Sequence, residues 1–367
     1  MLGNLVKKLS NLPGWKTNRK IVVFESDDWG SIMMPSKEVY KNLQNEGFGI
    51  GKGLESRYNE YDSLASAEDL QALFETLSSV KDSKNQSVKF TAMSLVANPD
   101  FDKIKANNYT SYNYELFTDT LARYNRADAY QLWKEGIDSG VFYPEFHGRE
   151  HLNVQYWLRE LQQNDKLTRL AFDQSMWGFN RGEGKLGYQA AFDLDQASDV
   201  QEQHHIIKDG LRLFKQLHGY NARFFVPPNG PINNQLEQTA AKNGIDYMSS
   251  PKLQKEALGG GRTKTHFRYL GKKNKHQQIY ITRNVFFEPT GGKDQANRAL
   301  REIELAFKFK KPAVISSHRV NFIGVLDEQN RTDSLKELKN LLAYIVKKWP
   351  DVEFMTSTEL GDTIRNS

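Results

Sequence analysis

The chain has no cysteine in its 367 residues. That excludes disulfides and thiolate metal sites, so any metal must be held by His, Asp or Glu; it does not decide the compartment. Long apolar runs are also missing. No segment approaches the ~18 apolar residues of a membrane helix. The start, Met1-Leu2-Gly3-Asn4-Leu5-Val6-Lys7-Lys8-Leu9, lacks the roughly 7–15-residue apolar stretch of a signal peptide. A cytoplasmic location is the expectation, unless a signal has been removed. Residues 2–15 have the pattern of a short basic amphipathic helix, either packed on the domain or touching a membrane. No basic helix or interleaving of aromatic and basic residues stands out, which argues against nucleic acid. Charge of one sign is scarce as well: 50 Lys and Arg against 45 Asp and Glu leave a net of +5. Such an excess reads as a solvated surface, with acidic glycans, phosphorylated carriers or a membrane surface as functional alternatives.

What is present is a core-forming composition, 38% hydrophobic and 12% aromatic, with a mean hydropathy of −0.67 that implies long polar surface segments. Short apolar, β-branched runs recur and end in polar or Gly/Pro-rich loops. They cover 20–25, 88–95, 141–146, 222–226, 245–248, 278–287, 313–316 and 352–355. Helical periodicity lies between them, over 66–80, 202–217, 232–243, 294–308 and 334–347. Gly219, Gly244 and Pro350 follow as stop signals. Strands alternating with helices imply a parallel sheet, and seven or eight such units suggest a closed or nearly closed barrel. Segments 47–61, 103–138 and 167–196 have no clear assignment and read as loops on the active-site face. The last includes a glycine-rich stretch over 177–187 that is not a phosphate loop.

The polar clusters fall just after the predicted strands, where β/α barrels keep their chemistry. Ser26-Asp27-Asp28-Trp29-Gly30 follows the first. Adjacent carboxylates there can serve as turn formers, or divide into a metal ligand and a base. His147-Gly148-Arg149-Glu150-His151 follows the third. The H-x3-H spacing fits the opening turn of a helix, where both imidazoles share a face and reach one metal; a surface pair gives the same spacing. It is not the H-E-x-x-H protease motif. Arg223 begins the strand leading to Pro227-Pro228-Asn229-Gly230, as either a surface ion pair or a guanidinium fixing a buried carboxylate. His318, in Ser316-Ser317-His318-Arg319, follows the strand over 313–316.

Together these segments resemble the polysaccharide deacetylase family, carbohydrate esterase family 4 with its NodB-type homology domain, over about residues 20–362. The family's motifs run T-F-D-D-G, H-S/T-x-x-H, R-x-P-Y, D-x-x-D-W and L-x-H. Here Trp29 is inserted before Gly30, Gly148 stands where Ser or Thr is usual, and Ser316 replaces Leu. The fourth motif is not visible. Arg283-Asn-Val-Phe-Phe-Glu288-Pro lies where it should be, with Glu288 in place of the aspartate that supports the acid histidine.

The resemblance implies a distorted (β/α)7 barrel over 20–362, an α/β fold of one domain, with an extension over 1–19 and insertions at about 100–138 and 167–200. It implies that Asp28, His147 and His151 bind a divalent metal, most often zinc. Asp27 would be the base, Arg223 would orient and charge-stabilise it, and His318 would be the acid. Trp29, Arg149, Asn229, Arg319 and Asn321 would line the pocket by position, for an acetylated carbohydrate. The alternatives are hydrolysis of a non-acetyl amide or another glycan bond, or an inactive glycan-binding barrel.

Overall fold

Central strands of a parallel sheet are buried on both faces and therefore read as unbroken apolar runs. The run Ile21-Val22-Val23-Phe24 forms the heart of β1 (Lys20–Trp29) in the computed structural model of the protein, which describes residues 12–50, 56–179, 181–182 and 186–367. The basic stretch expected over 2–15 lies outside the described residues as far as Asn11, and the glycine-rich stretch is described only in part.

Along the chain, β2 (Phe90–Leu95) is followed by a small antiparallel pair, β3 (Ala97–Pro99) with β4 (Tyr114–Leu116). β5 (Phe142–Gly148), β6 (Phe224–Phe225) and β7 (Tyr247–Ser249) come next. An antiparallel hairpin, β8 (Leu253–Gly259) with β9 (Arg262–Phe267), precedes β10 (Ile279–Ile281) and β11 (Val285–Phe286). β12 (Ala313–His318) and β13 (Val352–Met355) complete the set. The main sheet is parallel, in the order β10-β7-β6-β5-β2-β1-β12-β11, with β13 pairing the first residues of β1.

The two ends of that order are successive pieces of one segment: β10 pairs with β7, and β11 pairs with β12. The strand expected over 278–287 is thus broken at Thr282-Arg283-Asn284, and the sheet curls until its ends meet there. Asn284 stitches the seam. Its side chain donates to Pro312 O (2.9 Å) and accepts from Val314 N (2.9 Å). Counting β10 and β11 as one broken stave, the curl is made of β1, β2, β5, β6, β7, β10–β11 and β12, seven in all, the α/β architecture that the alternation implied.

Alternation along each strand sorts the core. Ile21, Val23, Phe224, Ile279, Ile281 and Val314 turn inward and cluster with Leu360 and Ile364 of the C-terminal helix Ser357–Arg365. Val22 and Phe24 belong instead to the layer under the outer helices, with Leu338 and Leu341. The C-terminal helix plugs the end of the curl where the strands begin. It fits because Gly361 has no Cβ; one added there would sit 2.7 Å from the Tyr247 ring.

The outer helices fall at Ala67–Ser78, Val200–His218, Leu236–Lys242, Gln295–Lys308 and Glu328–Lys348. The last starts six residues before its periodicity predicts, because Asp327 caps it by accepting from Gln329 N. The stretch 103–138, expected as loop, holds the end of the helix Phe101–Ala106, then β4 and the helices Phe117–Arg123 and Ala129–Asp138. Among the described residues no helix is long and apolar enough to cross a membrane.

Candidate metal and acid–base site

In a regular strand Asp27 and Asp28 would point to opposite faces. They do not, because β1 carries an irregularity: its register with β2 shifts between Ser26 and Trp29. Asp28 adopts the left-handed conformation there, at φ +75°, and a bulge of this kind re-aims side chains. A second shift in the β2–β5 pairing leaves His147 unpaired between Phe146 and Gly148. Gly148 has φ +126°, a conformation that costs a residue with a Cβ much more than glycine. That accounts for glycine where the resembled motif has Ser or Thr. The expected helix is not what joins the histidines. His147 lies in the strand, His151 lies in the loop after it, and the next helix starts only at Val154, capped by Asn153. The turn at Gly148 brings the rings to 5.2 Å between centroids.

Asp28, His147 and His151, all buried, form a group whose ligand atoms lie within 4.8 Å of one another. Asp28 Oδ1 is 3.4 Å from His147 Nε2 and 3.2 Å from His151 Nε2. His147 Nδ1 lies 2.7 Å from Val226 O. A carbonyl only accepts, so Nδ1 carries the proton and Nε2 presents its lone pair inward. That Nε2 is buried with no hydrogen-bond partner. A lone pair and a carboxylate oxygen turned on one point repel unless a cation or proton lies between them. The donor set therefore fits a divalent cation held by three protein ligands with a position left open.

Asp27 is gripped at both oxygens by Arg283, with Nη1–Oδ2 and Nη2–Oδ1 each at 2.6 Å. Burial alone would push the Asp27 carboxyl up, but the Arg283 charge and hydrogen bonds outweigh it and hold the pKa below the usual range. The same guanidinium donates from Nε to Glu25 (2.6 Å), whose other oxygen accepts from Ser357 Oγ. His318 Nε2 faces Asp27 Oδ2 at 3.7 Å, and its Nδ1 is 2.6 Å from Glu288 Oε1. Burial would lower the His318 pKa. The Glu288 carboxylate, with the charges of Asp28 and Asp27, overrides it and raises the pKa to about 9. Glu288 is itself held by Asn321 Nδ2 (2.8 Å) and by Arg57 Nη1 (3.0 Å), and the Tyr58 ring meets His318 edge-on.

Several expected placements are corrected. Arg223 does not approach Asp27. It stands where β6 begins, a few residues at ~3.3 Å each from the end that carries the site. There it binds Asp362 of the plug helix (2.7 Å) and Asp246 (2.9 Å). Arg283, from the break between β10 and β11, occupies the position expected of Arg223. Trp29 is 1% exposed, donates to Ser26 Oγ and packs edge-on against Trp133 and Phe142, so it lines no cavity. Arg149 turns away to Glu150 (2.7 Å) and Asp209 (3.2 Å), over the Tyr114 ring. Arg319 is sealed in a wholly buried pair with Asp62 (2.8 Å). Asn321 stands behind the acid, donating to Glu288 and to His318 O (2.9 Å), whereas Asn229 lines the cavity.

That cavity is about 460 Å³. Asp27, Asp28, His147, His151 and His318 lie on its wall, and Asn229, Lys252 and Phe286 extend it outward. Sequence reading missed Arg283, Arg57, Lys252 and Phe286. Arg283 did carry a signal, since it opens the same short stretch as Glu288.

An α/β barrel-like protein with an Asp-His-His group and a paired carboxylate and imidazole at its strand ends is the class that fold and site define. No family model and no curated protein matches the chain. Among solved structures it is similar to a putative polysaccharide deacetylase from Mycobacterium smegmatis, at 12% identity and a TM-score of 0.44, over 96% of this chain and 93% of that one. A probable polysaccharide deacetylase from Pseudomonas aeruginosa PAO1 gives 10%, 0.43, 95% and 92%. A CE4 family pseudoenzyme from Bacillus anthracis gives 13%, 0.38, 94% and 66%. Likeness at these scores carries no weight for function, which rests on this chain's own residues.

Proposed function

We propose that the protein is a metal-dependent hydrolase that removes N- or O-acetyl groups from a carbohydrate. The observation that carries this reading is a single cavity wall holding three elements: a cation-shaped Asp28–His147–His151 group, the carboxylate Asp27 fixed by Arg283, and the imidazole His318 backed by Glu288. A divalent cation such as zinc, bound there, would polarise the acetyl carbonyl and lower the pKa of a water. Asp27, ionised at neutral pH, takes the proton of the attacking water. Arg283 keeps the two Asp27 oxygens in place and offsets the charges of both Asp27 and Glu25. His318 is protonated below about pH 9 and stands across from Asp27. From Nε2 it gives its proton to the departing nitrogen or oxygen. Glu288 on Nδ1 holds the ring in that orientation. An amide substrate depends most on this proton, because an amide anion is a very poor leaving group.

Metal analysis and acetate release from acetylated amino sugars test the reading together. Asp27→Asn should keep the metal and lose about 10²–10⁴ of turnover. A fully active Asp27→Asn enzyme would remove the base, and a wild type that binds metal yet releases no acetate from any acetylated sugar would remove the deacetylase reading.

A further inference from the structure

We propose that the β8–β9 hairpin docks this protein on an anionic membrane surface. The docking stands apart from the deacetylase reading above. The hairpin fills the connection between β7 and β10, and its first neighbour, Lys252, lines the catalytic cavity. One face packs inward, where Gln254 is buried and His266 meets Glu256 and Asn234. The opposite face carries the directly paired Leu253 and Phe267, 66% and 48% exposed, beside Lys255 and Thr265.

Exposed large apolar side chains are few among the described residues, and they are not scattered. Leu253 and Phe267 share the hairpin. Leu12 (49% exposed) precedes Pro13, which lines a small hollow together with Lys252 and Tyr269, and the Tyr269 ring touches Phe267. Phe286 (44% exposed) stands on the wall of the catalytic cavity with Lys252. Leu253 thus adjoins Lys252 in the chain, Leu12 adjoins a residue that shares a hollow with it, and Phe286 shares the catalytic cavity with it, whereas Leu167 and Tyr344 stand on separate helices.

Charge supplies the second observation. Of residues 251–280, eight are Lys or Arg and one, Glu256, is acidic; Arg268 is buried against Glu237, and the other seven cations are half-buried or exposed. Apolar side chains ringed by lysines are what an anionic interface takes up: the first enter the headgroup region, and the second neutralise its charge. A soluble anionic polymer would use the lysines but give no role to Leu253 and Leu12, whose branched chains offer no flat face to a sugar ring.

The test is sedimentation of the full chain with vesicles of phosphatidylcholine alone or mixed equally with phosphatidylglycerol. Wild type should sediment with the mixed vesicles, less so at high salt. A Leu253→Ser/Phe267→Ser variant should lose at least about tenfold of that partition, and Lys255→Glu should weaken it, with circular dichroism and melting showing the fold intact. Failure of wild type to sediment, or unchanged binding by the double variant, overturns the proposal. So does binding of soluble polygalacturonate, but not vesicles, that the same variants lose. The double variant should release acetate from a soluble acetylated amino-sugar oligomer as wild type does. If wild type releases none, the deacetylase reading fails while the vesicle result still decides the docking.

Discussion

Two arginines separate what motif order suggests from what the folded chain does. Arg283 lies against Glu25 and Asp27, both buried, so Arg283→Met leaves two carboxylates without a countercharge. Losing one partner of a buried pair costs about 3–5 kcal/mol, and Asp27 would lose its orientation. Urea melts should show that loss together with near-complete loss of acetate release. Arg223→Ala removes a half-exposed clamp on the plug helix; it should cost about 1 kcal/mol and leave kcat unchanged. The sequence could not choose between them, because Arg223 matches the family's motif order and only the break in the last stave delivers Arg283. The histidines and aspartates were legible because their chemistry is scarce in a chain without cysteine. Glu288 adds a pH signature. His318, with its pKa raised to about 9, stays protonated until the pH passes that value, so the alkaline limb of kcat/KM falls there, or lower once a cation sits nearby. Glu288→Gln removes the charge that raises it and should move the limb down by at least about one unit, which a pH–rate profile reads directly. The same shift stabilises the fold: the contribution is complete below His318's unfolded pKa of about 6.5 and is lost as pH rises through about 9.

Strand and helix order was legible because period-2 and period-3.6 patterns are local. The devices that build the site were not, because they are mismatches between neighbouring strands. The bulge that lets Asp27 and Asp28 converge, and the one that frees His147, exist only as register shifts against β2. The break at Thr282-Arg283-Asn284 likewise arises because one segment must pair with β7 before it and β12 after it. Even the H-x3-H spacing, read as helical, is met by a glycine turn, since spacing fixes the count of residues and not the path. The seam offers an element-scale prediction. Asn284→Ala deletes two hydrogen bonds that hold β12 to the break and leaves Pro312 O and Val314 N without those partners. At about 1–3 kcal/mol for an unsatisfied buried group, the unfolding free energy from a denaturant melt should fall by that amount. Acetate release should fall more than for Arg223→Ala, because the same break positions Arg283.

Across the whole molecule the curl is layered. The C-terminal helix and an apolar cluster close one end. A middle layer is polar: Ser357 bonds Glu25 and Thr91, and Glu145 accepts from Thr358 and from the backbone where β6 begins. The catalytic end concentrates buried charge. Arg283 offsets Asp27 and Glu25, Arg57 offsets Glu288, and Arg319 offsets Asp62. Asp28 faces the imidazoles of His147 and His151. A cation that binds the folded state and not the unfolded chain adds stability by mass action, about 4 kcal/mol at a thousandfold excess over Kd. With an unfolding entropy of about 2.1 cal/mol/K per residue in a chain of 367 residues, each kcal/mol moves the melting temperature by roughly 1–2 °C, so chelation should lower that of the wild type by about 5 °C. His151→Ala, short of one ligand, should melt alike with and without chelator. Equal sensitivity of the two proteins would place the cation elsewhere.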